Sequence, residues 1–250
     1  MSIFITGDTH GQIEINKISN KFWKESKNLT EEDSLIILGD FGLIFNNIQT
    51  NEEKFWLDWL EEKKYKIYFI DGNHDNHSKI WEYPTCGKFR KIRENLFYIP
   101  RGTCFELEGI TFLAIGGAAS HDKYHRKENF DWWQTELLSK KEEDSILDLL
   151  DLKNNFDIIL SHTAPSSMVD FMSKNNLIET YDYICSVAGY NSPKRNRFYC
   201  PVSNFLEHVK NNSNFKRWYF GHFHIDKDFV DECGNEFVCV YNEILEVRLE

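Results

Sequence analysis

Aspartate, asparagine and histidine residues recur in this sequence in short clusters beside glycine. Two of these clusters place a histidine two residues after another candidate ligand, as Asp8-x-His10 and His222-x-His224. In an extended chain, side chains at positions i and i+2 lie on one face, so each pair could contact one small ion or two neighbouring ions. Carboxylate, amide and imidazole donors without a thiolate suit Mn²⁺, Fe or Zn²⁺ and argue against a structural cysteine-zinc site. The clusters therefore predict a divalent-metal site.

Each of five such clusters directly follows a short apolar segment that is typical of a buried strand. In chain order they are Gly7-Asp8-Thr9-His10-Gly11, Gly39-Asp40-Phe41-Gly42, Asp71-Gly72-Asn73-His74-Asp75, Ser161-His162 and Gly221-His222-Phe223-His224. Ligands of α/β sheets bind at the carboxyl ends of strands, where glycine lets the backbone turn sharply and approach an ion closely. One such cluster alone is more often a turn. Five of them at strand ends indicate a shared site.

The elements that must position these clusters alternate between strands and helices in the first part of the chain. The residue pattern predicts strands at 3–5, 34–38, 66–70, 156–160, 218–220, 229–230, 237–241 and 245–249, three short strands within 96–115, and helices at 12–26, 51–63, 142–152 and 201–210. The helix at 12–26 is predicted from the spacing of Ile15, Ile18 and Phe22. Early β–α alternation followed by later strand-rich segments indicates an α/β fold with mixed sheets.

The composition is that of a folded chain with an acidic surface. Of its 250 residues, 41% are hydrophobic and 15% are aromatic, which is typical of a globular protein. Lysine and arginine number 29 against 40 aspartate and glutamate residues, which gives a formal net charge of −11. That balance disfavours long nucleic acids and anionic membrane surfaces, since both require a basic face. We therefore expect no membrane partner, and nucleic acid is a disfavoured partner.

No repeat, low-complexity tract or glycine- and proline-rich linker divides the chain. No stretch approaches the about 18 consecutive apolar residues of a membrane helix. The N-terminus lacks the basic and apolar segments of a secretory signal. The 6 cysteines are scattered without a C-x-x-C pair, which is typical of free thiols in a cytosolic protein. These features predict one cytoplasmic domain over residues 1–250.

Taken in order, the clusters GDTHG, GD, GNHD, SH and GHFH resemble those of the calcineurin-like metallophosphoesterases. The resemblance extends from Asp8 to His224 and implies a four-layer α/β/β/α sandwich of two mixed β-sheets around two divalent metal ions. It implies that Asp8, His10 and His224 hold the first metal, that Asn73, His162 and His222 hold the second, and that Asp40 bridges the two. Mn²⁺ is the expected metal, with Fe and Zn²⁺ as alternatives.

The resemblance also implies metal-dependent hydrolysis of phosphate esters, by either a phosphatase or a phosphodiesterase. In two-metal chemistry the ions activate water for in-line attack on phosphorus. His74 is then the catalytic histidine that is not a ligand, and it protonates or stabilises the leaving group. The expected partner is a phosphate-ester substrate. The identity of that substrate, the choice between monoester and diester, and the oligomeric state stay open.

The second cluster departs from the pattern of the protein Ser/Thr phosphatases in this superfamily. Those enzymes carry a second aspartate and an arginine where this chain has Leu43 and Ile44, and a glutamate where it has Asp75. The chain therefore resembles the smaller bacterial or phage-type members more closely. Two further hypotheses are a non-catalytic scaffold or interaction module on the same fold, and a nuclease. All seven expected ligands and His74 are present, which disfavours the scaffold.

Three arginines are candidates for substrate contacts. Arg126 follows a glycine-rich run, and Arg195 and Arg197 lie in a predicted loop at 189–200 that could act as a lid. An arginine on such a loop could bind the substrate phosphate. The alternative is that these residues are ordinary solvated charges.

Overall fold

The computed structural model describes residues 1–178, 200–231 and 233–248. Its strands are β1 (Ile3–Thr6), β2 (Ser34–Leu38), β3 (Lys66–Ile70), β4 (Thr85–Cys86), β5 (Phe89–Lys91), β6 (Leu96–Tyr98), β7 (Thr103–Leu107), β8 (Ile110–Ile115), β9 (Ile158–Ser161), β10 (Arg217–Phe220), β11 (Lys227–Val230), β12 (Glu236–Cys239) and β13 (Ile244–Glu246). The α-helices of the described ranges are α1 (Asn51–Glu61), α2 (His77–Ile80), α3 (Lys140–Leu152), α4 (Ser166–Lys174) and α5 (Pro201–Asn211).

The strands form two mixed sheets, so the predicted α/β class is confirmed. The first sheet has the order β13-β1-β2-β3-β6-β5-β4, in which β1, β2, β3 and β6 are parallel. The second has the order β11-β12-β10-β9-β8-β7, in which β8, β9, β10 and β12 are parallel. The candidate ligand clusters follow β1, β2 and β3 of the first sheet and β9 and β10 of the second.

Alternating side chains of the central strands face two different cores, because successive residues of a strand point to opposite faces. In β2, Ile36 and Leu38 enter the core between the two sheets, together with Ile158 and Leu160 of β9. The opposite face of β2 packs under α1. The opposite face of β9 packs under α3, α4 and α5. The layers therefore follow the expected order of helix, sheet, sheet and helix.

Side-chain caps begin two of the helices close to the predicted positions. Thr50 and Glu53 form a capping box at the start of α1, and Ser139 and Glu142 form another at the start of α3. Pro201 occupies the first turn of α5, where its missing N–H costs no helix hydrogen bond. Among the described residues, no helix is both long enough and apolar enough to cross a lipid bilayer.

The helix predicted at 12–26 is wrong. This segment contains three short 3-10 turns at Gly11–Ile13, Ile15–Ile18 and Lys24–Asn28. The spacing of Ile15 and Ile18 fits a 3-10 turn with three residues per turn as well as it fits an α-helix. Both side chains are buried, whereas Phe22 is 64% exposed. The consequence is functional, since the turns bring residues 14 and 17 under the candidate site.

Candidate metal centre

Asp8, which follows β1, is fully buried and faces two histidines. Its Oδ2 lies 3.1 Å from Nε2 of His224 and 3.9 Å from Nε2 of His10. Its Oδ1 accepts the backbone N–H of His222 at 2.9 Å. Donor atoms of Asp8, His10 and His224 all lie within 4.8 Å of one another, which is close enough to hold one ion. This group has the membership expected for the first metal.

Asp40, which follows β2, connects this group to a second one. Its Oδ2 lies 3.2 Å from Nε2 of His10, and its Oδ1 lies 3.3 Å from Nε2 of His162. Donor atoms of Asp40, His162 and His222 also lie within 4.8 Å of one another. One carboxylate therefore contacts a histidine of each group, which is the position that a bridging ligand requires.

His162 presents its Nε2 atom to the second group. Its Nδ1 donates to the carbonyl oxygen of Leu38 at 2.7 Å, which assigns the proton of the neutral ring to Nδ1. The lone pair of Nε2 then points toward the site, and Nε2 lies 3.3 Å from Oδ1 of Asn73. Asn73 is therefore also in place beside the second group.

Glycines and unusual backbone conformations make this close packing feasible. A Cβ atom on Gly72 would lie 2.2 Å from Oδ1 of Asp40, and one on Gly221 would lie 2.4 Å from Oδ1 of Asp8. Four of the candidate ligands have left-handed backbone: His10 (φ 39°), Asp40 (φ 45°), His222 (φ 68°) and His224 (φ 53°). Non-glycine residues rarely adopt this conformation, and strain of this kind concentrates at functional sites.

Asp40, His162 and His10 hold each other in their charged forms. Burial raises the pKa of Asp40, but the nearby His162 and His74 outweigh burial and hold this pKa well below its usual value. Burial lowers the pKa of His162, but Asp40 and Asp8 outweigh burial and raise it to about 10. Burial also lowers the pKa of His10, but the hydrogen bond to Asp40 outweighs burial and raises this pKa to about 9. A divalent cation would have to displace these histidine protons, so metal affinity decreases as the pH is lowered.

His74 lies at the edge of the cluster, with an arginine against its ring. Its backbone N–H donates to Oδ1 of Asp40 at 2.7 Å. The two terminal nitrogens of Arg126 lie 3.4 Å from the two ring nitrogens of His74. Arg126 is itself held by the carboxylate of Asp122 at 2.7 Å and by the carbonyl oxygen of Asp131 at 3.1 Å. The predicted substrate contact Arg126 is thus beside His74.

Arg195, Arg197 and most of the proposed lid at 189–200 lie outside the described residues. The seven expected ligands and His74 are together at one end of the two sheets.

The family model described as "Calcineurin-like phosphoesterase" matches residues 1–226 of the chain. The chain belongs to the calcineurin-like phosphoesterase family. The predicted family is therefore confirmed.

Curated relatives of this chain include lariat debranching enzymes. The lariat debranching enzyme A of Xenopus laevis is 27% identical over 201 residues, which cover 73% of this chain and 36% of the relative. The lariat debranching enzyme of Homo sapiens is 24% identical over 245 residues, which cover 90% of this chain and 42% of the relative. The chain therefore spans roughly two fifths of the length of these relatives.

The solved structure of GAP50, described as the anchor in the inner membrane complex of Plasmodium, resembles this calcineurin-like phosphoesterase in fold. It matches with a TM-score of 0.52 and 11% sequence identity, over 96% of this chain and 71% of that chain. At this identity the similarity concerns the fold alone.

The residues that differ from the protein-phosphatase pattern, Leu43, Ile44 and Asp75, are all buried in the structure. Leu43 and Ile44 are buried in the core beneath α1, so their side chains support the fold and lie away from solvent. Asp75 is also buried, and its carboxylate accepts the backbone N–H groups of Phe41, Gly42 and Gly72 at 2.8–3.1 Å. It thereby ties the second cluster to the third. Burial and the charge of Asp40 raise the pKa of Asp75 to about 7.

A buried ion pair supports the same loop from its other side. Arg101 contacts Asp71 at 2.5 Å, and the hydroxyl of Tyr98 donates to Asp71 at 2.8 Å. Asp71 directly precedes Gly72, so this pair fixes the end of β3 from which Asn73 and His74 extend. Arg101 could not be predicted from the sequence, because it lies far along the chain from the third cluster and no local pattern connects the two.

Proposed function

We propose that this chain hydrolyses phosphate esters with two divalent metal ions. The observation that carries this proposal is the shared position of Asp40 between two groups of three donors. Asp8, His10 and His224 form one group, and Asp40 with His162 and His222 forms the other. A single-metal site would not need two adjoining groups with one carboxylate that contacts a histidine of each.

The donor set fits the proposed ions. Asp8, His10 and His224 would hold the first, Asn73, His162 and His222 would hold the second, and Asp40 would contact both. The oxygen and imidazole donors suit Mn²⁺, with Fe and Zn²⁺ as alternatives, and we propose Mn²⁺. When bound, such a pair supplies neutralising charge for the phosphoryl oxygens and lowers the pKa of a water molecule for in-line attack.

The protein groups beside the cluster would handle the leaving group and the phosphate. His74 would donate a proton to the leaving oxygen or stabilise its negative charge. Arg126, held in place by Asp122 and Asp131, would bind a phosphoryl oxygen, since guanidinium groups bind phosphate through charge-assisted hydrogen bonds. The arginine of this chain is at position 126. Protein phosphatases carry their arginine in the second cluster, at the position that Ile44 occupies here.

A paired assay tests the proposal. Purified protein, stripped of metal with chelator, is supplied with Mn²⁺ and offered p-nitrophenyl phosphate in one arm and bis(p-nitrophenyl) phosphate in the other. We expect turnover that requires the added metal, is lost on chelation and returns on metal addition, with metal analysis giving two ions per chain. The preferred ester separates a monoesterase from a diesterase. Two bound ions without turnover of any ester would support the scaffold hypothesis instead.

The nuclease hypothesis is the second candidate, and the lariat debranching relatives favour it. Their name weighs against our expectation that nucleic acid is a disfavoured partner. The net charge of −11 still opposes tight binding of long polyanions. A branched oligonucleotide is therefore the third substrate of the assay, and its cleavage faster than bis(p-nitrophenyl) phosphate would select this candidate.

Arg126→Met is expected to weaken binding of the phosphoryl group and to leave the metal content unchanged. Hydrogen bonds to charged groups contribute about 1.5–3 kcal/mol, which corresponds to roughly a 10- to 100-fold fall in kcat/KM. Arg126→Lys should retain part of the rate, since lysine keeps the positive charge but loses the paired N–H donors of the planar guanidinium. The matched control is Arg93→Met, because Arg93 pairs with Asp58 and Glu61 on the outer surface. Unchanged kcat/KM in Arg126→Met would refute the assigned contact.

A further inference from the structure

The three candidate ligands of the first metal are all supported by one group of side chains. Nδ1 of His10 lies 2.6 Å from Oε2 of Glu14, and the hydroxyl of Tyr241 donates to Oε1 of the same glutamate. The ring of Tyr241 stacks on the ring of His224, with centroids 4.5 Å apart and planes 13° apart. Glu14 is thus connected to both histidines of the first group, directly to His10 and through Tyr241 to His224.

Lys17 supports the remaining ligand of this group. Its Nζ donates to the backbone carbonyl of Asp8 at 2.6 Å and to that of Gly7 at 3.1 Å. It also donates to the backbone carbonyl of Tyr241. Lys17 therefore joins the strand end that carries Asp8 to the residue that stacks on His224.

His162 of the second group is oriented by a different kind of contact. His162 is held through Nδ1 by the backbone carbonyl of Leu38. A substitution of side chains cannot remove that carbonyl, whereas His10 depends on the carboxylate of Glu14. A single substitution can therefore remove the contact that orients His10, but it cannot remove the backbone contact that orients His162.

The chemistry of this contact predicts its effect on metal binding. A histidine that donates its second N–H to a carboxylate is fixed in one tautomer and one ring orientation, and its ligating nitrogen becomes more basic. Loss of such a partner typically lowers metal affinity by about 10- to 100-fold. Since Glu14 contacts His10 and lies on the side of the first group, the loss should be confined to one of the two metals.

We infer that Glu14 and Tyr241 are a positioning pair that sets the affinity of the first metal position and leaves the second unchanged. The inference rests on the proposed function, because it assumes that both groups bind metal. Glu14 and Tyr241 act through His10 and His224 and need not touch the substrate.

Titration of the metal-free chain with Mn²⁺ by calorimetry tests this inference. In Glu14→Gln, we expect the dissociation constant of one equivalent to rise about 10- to 100-fold while that of the other stays unchanged. Tyr241→Phe keeps the stacked ring and loses only the hydroxyl, so it should weaken the same equivalent by a smaller factor. The matched control is Glu25→Gln, on an exposed part of the 24–28 turn, which should titrate like the wild type.

The melting temperature of each metal-free variant separates positioning from folding. Glu14→Gln should melt near the wild-type temperature and Glu14→Asp should recover part of the lost affinity. Equal weakening of both equivalents, or of neither, would overturn the inference. Two wild-type equivalents without turnover of any ester would refute the proposed function alone, whereas wild-type protein that binds no second equivalent would refute both.

Discussion

Asp40→Asn is expected to lower kcat/KM for the preferred aryl phosphate by about 10³-fold or more and to leave fewer than two metals bound per chain. Asp40 is 2% exposed and lies between the two donor groups. An amide in its place offers one neutral oxygen where the carboxylate offers two charged ones. The two cations would then repel each other without the negative charge between them.

The size of this effect follows from the charge that the substitution removes. Stabilisation of phosphoryl charge by a bound metal amounts to several kcal/mol, and each 1.4 kcal/mol or so corresponds to tenfold in rate. The fold should survive, because the amide oxygen can still accept the backbone N–H of His74 that Oδ1 of Asp40 accepts at 2.7 Å. Loss of activity would therefore reflect the metal centre.

Metal content and steady-state kinetics of the same preparation make the measurement, with the melting temperature of the metal-free protein as the check on folding. Asp58→Asn is the matched control, because Asp58 is an aspartate on the surface of α1 that pairs with Lys54 and Arg93. It should bind two metals and retain the wild-type rate. If Asp40→Asn also bound two metals and retained the wild-type rate, the bridging role would be wrong.

The meeting of the candidate ligands could be predicted from the sequence because it depends on topology. Parallel strands of a sheet present their carboxyl ends at one edge, so clusters that directly follow buried strands must come near one another. The apolar runs before Asp8, Asp40 and Asn73 identified those strands, and β2 and β3 have the predicted bounds.

The parts that could not be predicted depend on local backbone conformation and on distant contacts. The helical interpretation of 12–26 failed because apolar spacing of three residues does not distinguish an α-helix from 3-10 turns. Glu14 follows His10 by four residues, but the sequence does not show that a turn places its carboxylate against Nδ1 of His10. Its partner Tyr241 lies 227 residues further on, and no local pattern connects the two.

The geometry of the site allows two roles for His74. Donor atoms of His74, His10 and Asp40 lie within 4.8 Å of one another, so His74 has the position of a ligand as well as that of an acid. Burial and the nearby guanidinium of Arg126 lower the pKa of His74, so they oppose a proton on this ring as well as a metal cation, and the contact does not choose between the two roles. Metal content separates the two roles, since a lost ligand changes it and a lost acid does not.

His74→Asn is expected to bind two metals and to lower kcat about 10²- to 10⁴-fold for an alkyl phosphate, which has a poor leaving group. The loss should be smaller for p-nitrophenyl phosphate, because p-nitrophenolate leaves readily without a proton. His208→Asn, at an exposed position of α5, is the matched control and should behave like the wild type. If the variant bound only one metal, His74 would be a ligand. Equal losses of kcat for both esters would refute its role at the leaving group. A larger loss for the poorer leaving group at full metal content is the result expected of a group that protonates or stabilises the leaving oxygen.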